Sequence, residues 1–492
     1  MLKPLPIRRA AWAAAMALTL AAPAAPAQTS AATAAAGAPT QYKDALRLVE
    51  AWLDAQAAYD KLPALSAGVV VGQGMVWRKA WGSLDHKRQM PARTDTVYGI
   101  CSISKLFTAV AAMQLWEEGK LGLDEDIGKY LPAFAIQRSD PDSGPITVRG
   151  LLTHSSGLPR EAIGAYWTPP DFRFPTRDEV LQGLAGQSTF QRAGDHYQYS
   201  NLGLILVGEV VAAVSGQPYE SYVRKNVLNP LQLADTQPAL PAPMWGVRFA
   251  QGFGAIKRDG TRDPLPLYDA RGLAPAAGYS STVEDLGRFA MWQFRLRKNG
   301  GREVLKVATL REMQRVQWTD PDGKTTWGLG FYVGRDGATT VASHTGVCPG
   351  YQTALSLALE PEVAVVAMVN ANDNESAGRY TRPMRQLMVK GLKLPVAAPG
   401  GPALESYAGR YRAQPWGSET VILPWGEGLA ELELPSTDPA KEMAVLKHVA
   451  GDTFRYQRDD GTLGAEAVFQ RDAAGRVSGV RVWGQTSPRL GN

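Results

Sequence analysis

Cysteine is almost absent from this chain, with only Cys101 and Cys348 in 492 residues. That scarcity excludes a disulfide-built scaffold and a cysteine-rich zinc module, so the fold has to rest on a hydrophobic core. Histidine is scarce as well, and His86, His154, His196 and His448 lack the spacing of a ligand set; no metal or other cofactor is expected. An excess of charge of one sign is also missing. The formal net charge is +5, three of the positive residues (Lys3, Arg8 and Arg9) lie in an N-terminal leader, and the remaining basic residues are scattered. This pattern argues against a nucleic-acid partner. Beyond the leader no apolar run reaches the roughly 20 residues that span a bilayer, so stable membrane insertion is not expected.

What is present describes a folded, multidomain chain. Hydrophobic residues make up 45% and charged residues 20%, which places the chain with globular proteins, and 492 residues exceed what one core usually organises. Residues 1–27 read as a cleavable signal peptide: a basic start, the apolar stretch Ala10 to Ala22 and the small-x-small site Ala25-Pro26-Ala27. A periplasmic or secreted location follows as an expectation. Residues 28–40 read as a linker, 41–393 as the main domain, 394–402 as a Pro/Gly-rich linker and 403–492 as a separate β domain.

Within the main domain, apolar residues at helical spacing predict a helix over Gln41 to Asp60, and a Gly-x-Gly turn predicts a hairpin between Leu65 to Val71 and Met75 to Trp81. Helices are expected over Ile103 to Lys120, Thr147 to Pro159 and Leu202 to Ser215. Strands are expected over Trp327 to Val333, Ala338 to Ser343, Gln352 to Leu359 and Val363 to Asn370. The resulting class is α+β, an antiparallel sheet packed against a helical cluster. Six short strand candidates after residue 403 predict a small antiparallel barrel or sandwich.

Three short motifs carry chemistry. Ser102-Ile103-Ser104-Lys105 puts a hydroxyl and an amine on one helix face, and a serine needs such a base to become a nucleophile. Tyr199-Ser200-Asn201 and His344-Thr345-Gly346 follow in that order, each occurring once. Taken singly, each has a structural reading: a surface Ser/Lys pair, a core tyrosine with a helix-capping asparagine, a satisfied histidine. The Tyr166-Trp167-Thr168-Pro169-Pro170 stretch is open between a wall of the active-site mouth and plain packing.

With its S-x-x-K, Y-x-N and H-T-G motifs, and with the stretch Ile146 to Pro159, the chain resembles the serine β-lactamase and penicillin-binding protein superfamily. The branch it resembles includes class C β-lactamases, D-alanyl-D-alanine carboxypeptidases, D-aminopeptidases and family VIII esterases, and the resemblance covers roughly residues 60 to 390. It implies a β-lactamase/transpeptidase-like fold and an acyl-enzyme on Ser102, with Lys105 and Tyr199 as further catalytic residues. It also implies an oxyanion hole from the backbone of Ser102 and Val347, and substrate contacts from Asn201, His344, Thr345 and Gly346. A Lys105 ammonium beside Tyr199 would favour the phenolate and make Tyr199 a usable base. A histidine at 344, where β-lactamases of this branch mostly carry lysine, would hold an anion less firmly as pH rises. If the third motif lies beside the Ser102 turn as in the family, Cys101 and Cys348 meet in a disulfide; two buried free thiols are the alternative.

The implied function is a serine hydrolase acting on an ester, an amide or D-amino-acid peptide, or a β-lactam, so its partner is a small-molecule or peptide substrate. A slowly deacylating penicillin-binding or sensory protein that binds a partner through its C-terminal domain is the alternative. Oligomerisation through the C-terminal domain is open.

Overall fold

The apolar runs of the main domain are continuous because its sheet is covered on both faces. Every residue of the strands Tyr351–Ala358 and Val363–Val369 is buried. The computed structural model describes residues 42–395 and 403–491. The expected leader and the linker 28–40 lie outside the described residues, as does most of the linker 394–402.

Eight antiparallel strands form the main sheet in the spatial order Gly74–Gly82, Ala64–Val71, Val363–Val369, Tyr351–Ala358, Thr339–Cys348, Tyr332–Asp336, Thr326–Trp327, Trp318–Thr319. The N-terminal hairpin thus pairs with the last strand of the domain, Val69 opposite Val365. One face packs on the helices Lys43–Tyr59 and Gly378–Gly391. The other packs on Ser104–Glu117 and Val283–Asn299, beyond which lies the helical cluster that includes Asn201–Ser215. The layering is that of the α+β expectation.

Two elements depart from it. Trp327 to Val333 is not one strand: the Gly328 N–H donates to the Phe331 carbonyl, Gly330 takes a positive φ of 83°, and the chain folds into a short hairpin. Glycines at both positions favour the turn over the apolar run. The helix expected over Thr147 to Pro159 stops after Val148–Leu152, because His154 sits in the left-handed region at φ 58°.

The C-terminal strands form an eight-stranded antiparallel meander from Gly409–Arg412 to Gln485–Pro488. A bridge between Tyr411 and Arg489 brings its ends together, so the domain is a nearly closed barrel. Its interior holds Tyr407, Tyr411, Phe454 and Phe469. Part of its outer surface, including Val421, Leu423 and Leu432, shares a core with the Lys43–Tyr59 helix. Buried Trp52 of that helix donates its indole N–H to the Ser436 carbonyl at 2.9 Å.

Candidate active site

The strand Tyr98–Cys101 runs almost directly into the helix Ser104–Glu117, and Ser102 occupies the turn between them. Cys101 turns the chain in the left-handed region at φ 49°, a conformation that costs a non-glycine residue about 1–2 kcal/mol and persists only where its surroundings impose it. Three contacts impose it here. The Ser104 hydroxyl donates to the Cys101 carbonyl at 2.5 Å and accepts from the Tyr279 N–H at 3.0 Å. The Cys101 sulfur is bonded to that of Cys348 at the end of the strand Thr339–Cys348.

That strand approaches the turn closely because residue 346 has no side chain. A Cβ there would lie 2.2 Å from the Ile100 carbonyl oxygen and 3.1 Å from the Cys101 Cβ. The third-motif glycine therefore has a packing reason independent of any ligand.

Lys105 is fully buried in the first turn of its helix. Its Nζ lies 3.1 Å from Ser102 Oγ, 2.7 Å from Asn201 Oδ1 and 2.8 Å from the Ala276 carbonyl. Burial holds its pKa well below the ordinary lysine value, opposed in part by the nearby Glu161 carboxylate. All three neighbours can accept from the amine, Asn201 Oδ1 and the Ala276 carbonyl only as acceptors and the Ser102 hydroxyl as acceptor or donor.

Tyr199 adjoins this pair: Lys105 Nζ and the Arg160 guanidinium carbon each lie 4.9 Å from its ring centroid, and the Ser102 side chain opposes the effect of burial on the phenol. Burial is nevertheless the dominant influence on the phenol and pushes its pKa above the ordinary value. Burial thus works against the phenolate expected from the sequence.

Asn201 is the first residue of the helix Asn201–Ser215, and the N-cap is Ser200, whose hydroxyl accepts from the Gly203 N–H. The segment Pro159 to Glu161 clamps this corner. The Ser200 hydroxyl donates to the Pro159 carbonyl at 2.6 Å, the Asn201 N–H donates to the Arg160 carbonyl at 2.7 Å, and Asn201 Nδ2 donates to Glu161 Oε1 at 2.7 Å. Glu161 is held in turn by the Tyr166 hydroxyl at 2.7 Å. With Nδ2 engaged by Glu161, the amide of Asn201 presents its oxygen to Lys105.

His344 is buried beside Tyr199 and Trp327, with ring centroids 6.4 and 5.6 Å away. Burial, and then the Lys105 charge, push its pKa down to about 3. Burial thus works against the protonated imidazole that the sequence reading relied on to hold an anion. Val347 lines a cleft of about 450 Å³ together with Ser102, Asn201, Arg160, Glu161 and Trp167. Thr345 is exposed and lines a neighbouring cavity instead. Of the aromatic stretch, Trp167 faces the cleft and Tyr166 is buried beneath it, so both readings hold in part.

Sequence reasoning missed Glu161, the Ala276 carbonyl and the packing of His154 against Tyr199, whose ring centroids are 4.3 Å apart. An Arg-Glu pair after a proline reads as surface, a backbone carbonyl leaves no trace in side-chain identity, and His154 was set aside as an isolated histidine.

The Beta-lactamase family model matches residues 49–388 of this chain. Beta-lactamase-like protein 2 of Dictyostelium discoideum is 28% identical over 296 residues, which are 59% of this chain and 53% of that protein. Esterase EstB of Burkholderia gladioli is 30% identical over 264 residues, 51% of this chain and 65% of the esterase. The chain thus covers about half to two thirds of the length of these relatives. Among solved structures, the octameric penicillin-binding protein homologue from Pyrococcus abyssi superposes with a TM-score of 0.62 at 21% identity, over 90% of this chain and 99% of the homologue.

Proposed function

Since the chain belongs to the Beta-lactamase family, a family of serine hydrolases, we propose that it is an exported hydrolase that forms an acyl-enzyme on Ser102. The observation that carries this reading is the buried Lys105 amine, 3.1 Å from Ser102 Oγ and with its other two polar neighbours both acceptors. In the proposed reaction the Ser102 proton passes to Lys105 Nζ as Oγ bonds to the substrate carbonyl carbon. The resulting oxyanion faces the backbone N–H groups of Ser102 and Val347, where each such donor stabilises it by roughly 3 kcal/mol. Tyr199 gives its hydroxyl proton to the leaving group and recovers one from the Lys105 ammonium. Water then attacks the acyl carbon and its proton passes through Tyr199 to Lys105; the bond between the acyl carbon and Ser102 Oγ breaks as Lys105 returns a proton to Oγ, releasing the acid.

Esters and amides, including D-amino-acid peptides, are the proposed substrates ahead of β-lactams, because the neutral His344 provides no fixed positive charge for a β-lactam carboxylate. The likeness to Esterase EstB supports the same preference. Export rests on the composition of residues 1–27. Assembly through the barrel is proposed from the likeness to an octameric homologue of the same architecture.

A panel of a chromogenic ester, a D-amino-acid anilide and a chromogenic cephalosporin tests the reading. Ester or anilide turnover should exceed cephalosporin turnover, and Ser102→Ala should lower it by about 10⁴-fold or more. Turnover that survives this substitution would contradict the assignment.

A further inference from the structure

A second cavity, of about 910 Å³, opens where the helix Gly378–Gly391, the strands Tyr332–Asp336 and Thr339–Cys348 and the barrel segment Pro439–Glu442 meet. It shares no lining residue with the cleft in front of Ser102. In its wall stands Arg385, only 5% exposed. One guanidinium nitrogen, Nη2, donates to Asp336 Oδ2 at 2.8 Å. The other two, Nε and Nη1, are buried and find no hydrogen-bond partner among the described residues. The same Asp336 oxygen also accepts from Gln386 Nε2 at 3.0 Å.

Buried guanidinium donors are normally satisfied, and a positive charge left with unmade hydrogen bonds is destabilising. The surroundings add positive charge. Arg335, Arg382 and Lys441 line the cavity with Arg385, against Asp336, Glu375 and Asp438, while a fifth lining cation, Arg379, is paired with Asp60 and Asp373 outside it at 3.1 and 3.2 Å. Arg382 and Lys441 share the single carboxylate of Asp438, at 3.1 Å each, and Arg335 pairs with no carboxylate among the described residues. Hydroxyls of Ser343, Ser356 and Thr437 supply further polar wall.

We propose that this cavity is a second ligand site, in which Arg385 receives an oxyanion, carboxylate or phosphate, of a small ligand while Arg335 and Arg382 close on its outer oxygens. Guanidinium groups match either oxyanion in geometry and charge. The site goes beyond the hydrolytic reading and does not depend on it, because none of Ser102, Lys105, Tyr199 and Asn201 lines it.

Calorimetric titration of the full chain with inorganic phosphate, and separately with succinate at constant ionic strength, tests the proposal. Saturable binding of at least one anion is expected, unchanged in Ser102→Ala and weakened tenfold or more by Arg385→Gln. Phosphate binding without succinate binding assigns a phosphate-bearing ligand, and the reverse assigns a carboxylate. Because Arg385 is buried and its replacement can unfold the chain, the exposed pair Arg335→Gln and Arg382→Gln is measured as well, with a weakening of threefold or more expected. No saturable binding of either anion, or binding that both sets of substitutions leave unchanged, would overturn the proposal.

Discussion

Glu161 shows how one side chain outside the three motifs acts on the proposed catalytic amine. It engages Asn201 Nδ2, which turns Asn201 Oδ1 toward Lys105, and its charge raises the lysine pKa against the larger lowering effect of burial. Lys105 acts as a base only when neutral, so activity should fall as pH drops through its pKa. Glu161→Gln keeps an acceptor for Asn201 and removes the charge. The acid limb of the kcat/KM profile should therefore move to lower pH; a limb that stays in place or moves up would show that Glu161 does not act on Lys105. His344 makes a second titration visible. Its folded pKa of about 3 lies below the ordinary histidine value of 6.5, so the unfolded chain binds the extra proton between those values. Stability is complete above pH 6.5 and is lost as pH falls toward 3, at up to about 1.4 kcal/mol per pH unit from this residue. Urea unfolding at pH 7 and pH 4.5 should show a smaller acid loss for His344→Gln than for the unsubstituted chain, and equal losses would contradict the burial account. The motif residues Ser102, Lys105, Tyr199, Asn201 and His344 stood out in the sequence through the order of three short motifs and the family resemblance that this order carries. Their protonation states did not, because those depend on burial and on Glu161 and Ala276, which no spacing reveals.

Among the elements, the strand Thr339–Cys348 and the turn at Ser102 act as a pair held at a fixed separation. Gly346 permits the approach, the Cys101–Cys348 bond fastens it, and the Thr353 hydroxyl donates to the Ile100 carbonyl at 3.0 Å across the same gap. Gly346→Ala places a methyl group against a backbone carbonyl, which cannot rotate away. A loss of about 1–3 kcal/mol in stability is expected, with a fall in kcat larger than any rise in KM, read from thermal unfolding and steady-state kinetics. Full activity in this variant would refute the close-approach argument. The strands from Ala64 to Val71 and from Gly74 to Gly82 and the helix Ser104–Glu117 were readable, since burial on one or both faces writes itself into apolar patterning. The break in Trp327 to Val333 was not, because an apolar stretch containing two glycines fits a strand or a hairpin equally until a partner is known. The barrel strand Ala444–Ala450 went unread because only Leu446 of its seven residues is buried.

At the scale of the whole molecule the C-terminal barrel is part of the main domain's packing. The Lys43–Tyr59 helix buries Trp52 and Val49 in a cluster that includes Val421, Leu423 and Leu432 of the barrel, and Asp44 accepts from the Gly426 N–H at 2.9 Å. Removing residues 403–492 would uncover this apolar surface. The truncated chain should lose solubility or unfold at least several degrees lower, as read by scanning calorimetry; a soluble truncation with unchanged Tm would contradict the shared core. The two-layer reading of a hydrolase domain followed by a β domain was available from the Pro/Gly-rich stretch near residue 400. The contact between the first helix and the last domain was not, since nothing in either segment names its partner. The proposal of an acyl-enzyme at Ser102 is tested most directly by time-resolved intact mass of the chain mixed with an activated ester or a penicillin, with Ser102→Ala alongside. An adduct of the acyl mass, lasting or transient, that is absent from Ser102→Ala is the predicted result. An adduct that persists in Ser102→Ala, or turnover with no covalent species on the millisecond-to-minute scale, would contradict it.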